Sequence, residues 1–72
     1  MPTFPERLKQ LRNERKVTQV QFATAIGITD RGCRRYEVGD NQPTLPILWA
    51  MADYFDVSVD YLIGRSDNPQ RL

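Results

Sequence analysis

The sequence predicts an all-α fold, a compact bundle of five short helices, and two observations carry that prediction. No stretch alternates apolar and polar residues as a half-buried strand would, and every apolar cluster falls at helical spacing. Hydroxyl side chains suited to start helices, and glycines suited to end them, punctuate those clusters along the chain. A chain of 72 residues makes one domain. At that size folding buries only about 60% of the unfolded surface, so a large enclosed active site is not expected.

Phe4, Leu8 and Leu11 repeat at helical spacing behind Thr3 and Pro5, which predicts a first helix running to about Arg15. Thr18 and Gln21 form a capping box, in which each side chain satisfies a free amide at the helix start. Phe22, Ala23 and Ile26 give this second helix its inner face, and Gly27 suits the left-handed position that ends it. Only Ile28 separates Gly27 from Thr29, the next cap, so the second and third helices must cross steeply. The third helix spans about Asp30 to Val38 and stops at Gly39 and the loop Asp40-Asn41-Gln42-Pro43. Thr44 caps a fourth helix with Leu45, Leu48, Ala52 and Phe55 as its stripe and Pro46 tolerated in the first turn. Ser58 opens a short fifth helix through Ile63, closed by Gly64, with Asp60 at its positive end. The remainder, from Arg65 to Leu72, has no periodicity and is expected to be loose.

Composition removes several classes of function. The single cysteine, Cys33, and the absence of histidine exclude an internal disulfide, a conventional four-ligand metal site and histidine-activated nucleophiles. No metal, no cofactor and no enzymatic activity are therefore expected. Apolar runs fall short of the ~20 residues needed to cross a bilayer, and the N-terminus lacks a signal-like apolar stretch. The expected setting is a reducing cytoplasm, with no membrane partner and no evident small-molecule ligand. A net charge of +1 hides an asymmetry: residues 1–35 carry eight basic side chains against three acidic ones, and residues 36–72 carry two against six. A basic half can meet a polyanion while an acidic half faces away. Plain solvated surface is the competing explanation for charge alone.

The third helix sharpens the contrast. At roughly 100° per residue, Cys33 and Tyr36 share one side, while Asp30, Arg31, Arg34 and Arg35 occupy the opposite arc. Arginine can take guanine O6 and N7 with two hydrogen bonds, and aspartate can accept from cytosine N4, so this outward arc suits the edges of bases in a major groove.

The segment TQVQFATAIGITDRGCRRYEVG, residues 18–39, resembles the helix-turn-helix of the Cro and phage-repressor family, also called XRE-like. Ala23 falls on the family's small residue, Gly27 on its turn glycine, Cys33 on its buried aliphatic, and Arg35, Tyr36, Glu37 and Gly39 on its R-Y-E-x-G close. Pro43-Thr44-Leu45 is similar to the family's loop-to-helix junction, and VSVDYLIGRSD, residues 57–67, to the ending of many small repressors. The likeness covers about residues 6–67. It implies a lambda-repressor-like DNA-binding domain over residues 1–66, followed by a tail over 67–72, and double-stranded DNA as the partner.

Carried over by position, the resemblance implies base reading by Asp30, Arg31 and Arg35. It implies backbone contacts from Gln19, Arg34 and Asn41, with Arg34 able to reach a flanking base instead. Arg12 and Glu37 match a pair that forms a salt bridge between the first helix and the end of the third. Two positions depart from the pattern. Gly32 sits inside the recognition helix, either for close approach to DNA or by drift, and Asp40 stands where relatives often carry a basic residue. One short helix reads few base pairs, so a homodimer on a palindromic operator is expected, with Trp49, Val59, Tyr61 and Ile63 as candidate interface residues. A protein-interaction or antitoxin-like module built on the same fold is the alternative. Lys9, Arg15 and Lys16 are expected to be solvated surface, and Cys33 a core residue.

Overall fold

A hydroxyl residue precedes each of the five helices, although the Thr44 side chain makes no cap hydrogen bond to the fourth. Thr3, Thr18, Thr29, Thr44 and Ser58 all have extended backbone and stand directly before a helix. In the computed structural model, which describes residues 2–71, the helices are α1 (Phe4–Glu14), α2 (Gln19–Ile26), α3 (Asp30–Val38), α4 (Leu45–Phe55) and α5 (Val59–Leu62). Thr18, Thr29 and Ser58 each accept a hydrogen bond at 2.9–3.0 Å from the amide three residues on. At α1 the reciprocal half of a cap dominates, because the Glu6 carboxylate accepts from both the amide and the hydroxyl of Thr3. These bonds satisfy amides that the first helical turn leaves without partners.

The helices end as their residues require. Gly27 and Gly39 take φ values of 78° and 81°, where a side chain would be strained. The stop of α4 was not evident from the sequence. Asp56 supplies it at φ 55°, a left-handed conformation that aspartate tolerates better than most residues.

Packing centres on Leu8 and Leu11 from α1, Phe22 and Ala23 from α2, Cys33 and Tyr36 from α3, Met51, Ala52 and Phe55 from α4, and Leu62 from α5, with Val57 between the last two helices. Phe22 stacks on Phe55 with ring centroids 5.0 Å apart, and Tyr54 meets both edge-on at 5.2 Å. Of the predicted α4 stripe, Ala52 and Phe55 lie in this core, Leu48 packs against it half-buried, and Leu45 lies outside it. Leu45 is 56% exposed, and Met51 takes an inward place at 0%. The wheel explains the exchange: Leu48, Met51, Ala52 and Phe55 centre on one direction, and Leu45 lies about 70° from it in the first turn.

Two arginines, Arg7 and Arg15, hold the frame together. Arg7 is 2% exposed, with its guanidinium 3.7 Å from the Tyr61 ring centroid and Nη2 3.4 Å from Asp67. Arg15, read as solvated surface, donates from Nη2 to the Phe55 carbonyl and so caps the C-terminal end of α4. Residues 65–71 also make contacts that no periodicity announces. The Ser58 amide donates to the Pro69 carbonyl at 2.9 Å, and Arg71 pairs with Asp53 and Asp56. Leu72, the last residue of the tail assigned from sequence, lies outside the described residues.

Gly64 closes α5 against the N-terminal segment. It has φ 82°, and a Cβ there would stand 2.0 Å from the Pro2 carbonyl oxygen. Both the backbone angle and the contact forbid a side chain, and the obstructing atom is main chain that cannot rotate away. Gly64→Ala is therefore expected to lower stability by at least about 2 kcal/mol. Urea unfolding followed by circular dichroism checks this, with Gly27→Ala as the reference for the φ cost alone, because among the described residues beyond its chain neighbours none places an atom within 4 Å of a Cβ at that position.

Candidate nucleic-acid interface

The α2–α3 unit is built by a one-residue hinge. Gly27 turns the chain, the Ile28 amide donates back to the Ala23 carbonyl at 2.9 Å, and Thr29 at once caps α3. Cys33 and Tyr36 anchor the inner side of α3 at 0% and 6% exposure. Asp30, Arg31, Arg34 and Arg35 are all exposed on the other side. Arg31, Arg34 and Arg35 line one shallow concavity together with Val38 and Asp40. Asp30 stands in the first turn of α3, and Asn41 is exposed in the loop that follows the helix.

Gly32 occupies the third position of α3. Its amide is the one that Thr29 Oγ1 caps, and a Cβ would press to 3.1 Å from that same oxygen. The same cap forms with a side chain present at Gln21 and at Tyr61, so the contact asks for a small adjustment and does not by itself require glycine.

Beneath the outward arc lies a polar joint. Arg12 Nε donates to Glu37 Oε2 at 2.7 Å, Nη2 to Oε1 at 3.1 Å, and Nη1 to the Val17 carbonyl at 2.9 Å. Gln19 Nε2 donates to Glu37 Oε1 at 3.2 Å, and Cys33 Sγ to Oε2 at 3.7 Å. The Arg12 and Glu37 side chains are only 12% and 3% exposed. Burial alone would raise the Glu37 pKa, but the hydrogen bonds from Arg12, Gln19 and Cys33 and the charge of Arg12 outweigh it and hold the carboxyl below its usual range. The same carboxylate raises the Arg12 pKa. Cys33 is pushed up to about 12, chiefly by burial and then by the Glu37 charge, which leaves its thiol protonated and unreactive. Gln19, assigned from sequence to a backbone contact, thus stands at the first position of α2 with its amide braced on the joint.

The four candidate interface residues are not brought together. Trp49 is 55% exposed and shares a groove with Ala52, Asp53, Val59 and Arg71. Ile63 lines a different groove with Phe4, Gln42, Pro43 and Leu48. Tyr61 lies under Arg7, with Gln10 Nε2 at 3.5 Å from its hydroxyl. Two features of the arginine concavity escaped sequence reasoning, the exposure of Val38 and the contact of Asp40 with Arg35. Val38 is 67% exposed, and Asp40 Oδ2 sits 3.3 Å from Arg35 Nε. The signal for the second was Gly39, whose left-handed turn brings the next side chain back over the helix.

Removing Arg12 would leave the Glu37 charge buried and unopposed. Arg12→Ala should lower unfolding free energy by about 3 kcal/mol, and the double change Arg12→Leu with Glu37→Leu by less, as read from urea midpoints. The pH dependence has a definite sign. Because the folded pKa of Glu37 lies below the unfolded one, its contribution is present above about pH 5 and is lost as pH falls through the folded value. Glu37→Gln should flatten that acid limb in a series of urea midpoints taken from neutral pH downward.

Comparison with known proteins places this geometry. The family model described as helix-turn-helix matches residues 8–62. The chain is 42% identical over 66 residues to the HTH-type transcriptional regulator YobD of Bacillus subtilis, covering 92% of this chain and 59% of YobD. It is 39% identical over 69 residues to the cryptic phage CTXphi transcriptional repressor RstR of Vibrio cholerae, covering 89% of this chain and 62% of RstR. The chain thus spans about three-fifths of the length of these curated relatives. Its fold also matches the P22 c2 repressor protein, solved in complex with a synthetic operator, at a TM-score of 0.85 over 92% of this chain and 100% of that one, with 21% identity. These relatives are described as transcriptional regulators or repressors. A helix pair joined at Gly27, an inward Cys33 and Tyr36, and a family match across both helices converge on one conclusion: the chain belongs to the helix-turn-helix family of Cro- and phage-repressor-like (XRE) transcriptional regulators.

Proposed function

We propose that the protein is a sequence-specific transcriptional repressor that inserts α3 into the major groove and acts as a homodimer on a palindromic operator. The observation that carries this reading is the exposed Arg31-Arg34-Arg35 arc on a helix whose other side is locked into the core. A helix about 10–12 Å across fits a groove about 12 Å wide. In this reading Asp30, Arg31 and Arg35 contact bases. Arg34 and Asn41 contact phosphates, as does Gln19, whose second amide hydrogen and position at a helix N-terminus favour an anion. Repression as the sign of regulation is supported by the 39% identity to a phage repressor. The cytoplasm, where such operators reside, is the corresponding place of action.

Dimerisation follows from information content, because one recognition helix reads too few base pairs to select a site. Two copies would present their helices to half-sites about 34–36 Å apart. The exposed Trp49, with Val59 in the same groove, is the proposed centre of the contact, and Ile63 and Tyr61 lie outside it.

Selection from a random duplex pool at about 0.15 M salt, where purely electrostatic binding is weak, tests the reading. The expected product is a short inverted repeat, with Arg31→Ala and Arg35→Ala each relaxing preference at its own base positions by about 5- to 150-fold. Salt-sensitive binding without enrichment would overturn it and favour a protein-docking role. Sedimentation should show a doubled mass on operator DNA that Trp49→Ala weakens, and a monomer at every concentration and on DNA would remove the homodimer.

A further inference from the structure

The arginine concavity holds a carboxylate that the proposed reading does not use. Gly39 turns the chain at φ 81°, so Asp40 comes back across the outer side of α3 with Oδ2 3.3 Å from Arg35 Nε. A guanidinium offers two hydrogen-bonding edges, one containing Nε and one formed by Nη1 and Nη2. Either edge can approach the O6 and N7 of a guanine. With Nε engaged by Asp40, the terminal edge is the one left for a base.

We propose that Asp40 is a specificity-determining residue: it holds Arg35 by Nε, so that the Nη1–Nη2 edge meets the base, and it opposes indiscriminate attraction to phosphate. This rests on the major-groove reading above. The Arg35 and Asp40 side chains are 46% and 63% exposed, so in the free protein the pair is weak and screened by salt. On DNA the same pair is enclosed in a groove from which much water is displaced, where a charge-assisted hydrogen bond is stronger. Its orienting effect is therefore expressed where it matters.

The two consequences act on different states. Arg31, Arg34 and Arg35 crowd one concavity and attract any duplex. A carboxylate in their midst weakens that attraction for every sequence alike. Orientation of Arg35 helps only where a guanine presents its two acceptors. Asp40 thus lowers non-specific binding without an equal loss at the operator, and the ratio between the two rises.

Asp40→Ala and Asp40→Asn separate the effects. Each would be titrated against the selected operator, against its single-base variants at the position read by Arg35, and against an unrelated duplex. Asp40→Ala should tighten the unrelated duplex severalfold and reduce discrimination at the Arg35 position by about tenfold, leaving other positions unchanged. Asp40→Asn keeps an acceptor oxygen for Nε without the charge. It should tighten the unrelated duplex to a similar degree and retain most of the discrimination. In an Arg35→Ala background, Asp40→Ala should no longer change discrimination at any base. Equal tightening on operator and unrelated duplex, with discrimination intact, would overturn the proposal and leave Asp40 a bulk charge. Failure of the wild-type protein to enrich any sequence, or of Arg35→Ala to affect any base position, would instead remove the major-groove reading and this inference with it. Melting curves within a few degrees of wild type exclude misfolding, since both side chains lie at the surface.

Discussion

The Glu37 carboxylate is the point on which the architecture turns. It accepts from Arg12 of α1, Gln19 at the start of α2 and Cys33 of α3, so three helices share one buried charge. Hydrophobic packing is non-directional and would tolerate small rotations of α3 about its own axis. A carboxylate with four donors does not, because each donor approaches from a fixed direction and the guanidinium fork is planar. The angular position of the outward arginines is therefore set from the flank of the helix, about a quarter turn from the centre of their arc. A buried ion pair is weak ground for stability but a good one for geometry, and here the geometry is what presents Arg31 and Arg35 outward.

Where local chemistry decides the structure, the sequence was a sufficient guide. A hydroxyl residue precedes each helix, and the bounds of α3 follow from Thr29 and Gly39 on either side. The inward placement of Cys33 and Tyr36 follows from helical periodicity alone. These features depend on neighbours within about four residues, which is the range over which a sequence pattern is legible.

What escaped was long-range or depended on a competition between similar residues. Leu45 and Met51 are both apolar and both near the predicted stripe, and only the position of the neighbouring helices chose between them. Arg7 and Arg15 look like any surface arginine in sequence. One lies against Tyr61 of α5 and the other reaches the last carbonyl-bearing turn of α4, contacts separated by some forty residues or more. The Arg35–Asp40 pair is short-range, yet it required the left-handed turn at Gly39 to be read as a change in direction for the next side chain. The family likeness located the Arg12–Glu37 pair, but not Gln19 and Cys33 as its additional donors.

The sole tryptophan lies outside the core that Phe22, Phe55 and Met51 fill, with over half its surface in water. Its indole is consequently a poor reporter of unfolding and a good reporter of anything that settles on α4. Emission from this protein should begin near the solvent-exposed end of the tryptophan range and shift to the blue only when that helix is covered. The three tyrosines, of which Tyr36 is buried and Tyr54 and Tyr61 are partly so, carry the optical signature of the folded interior. Two chromophores in two environments therefore divide one spectrum between assembly and folding.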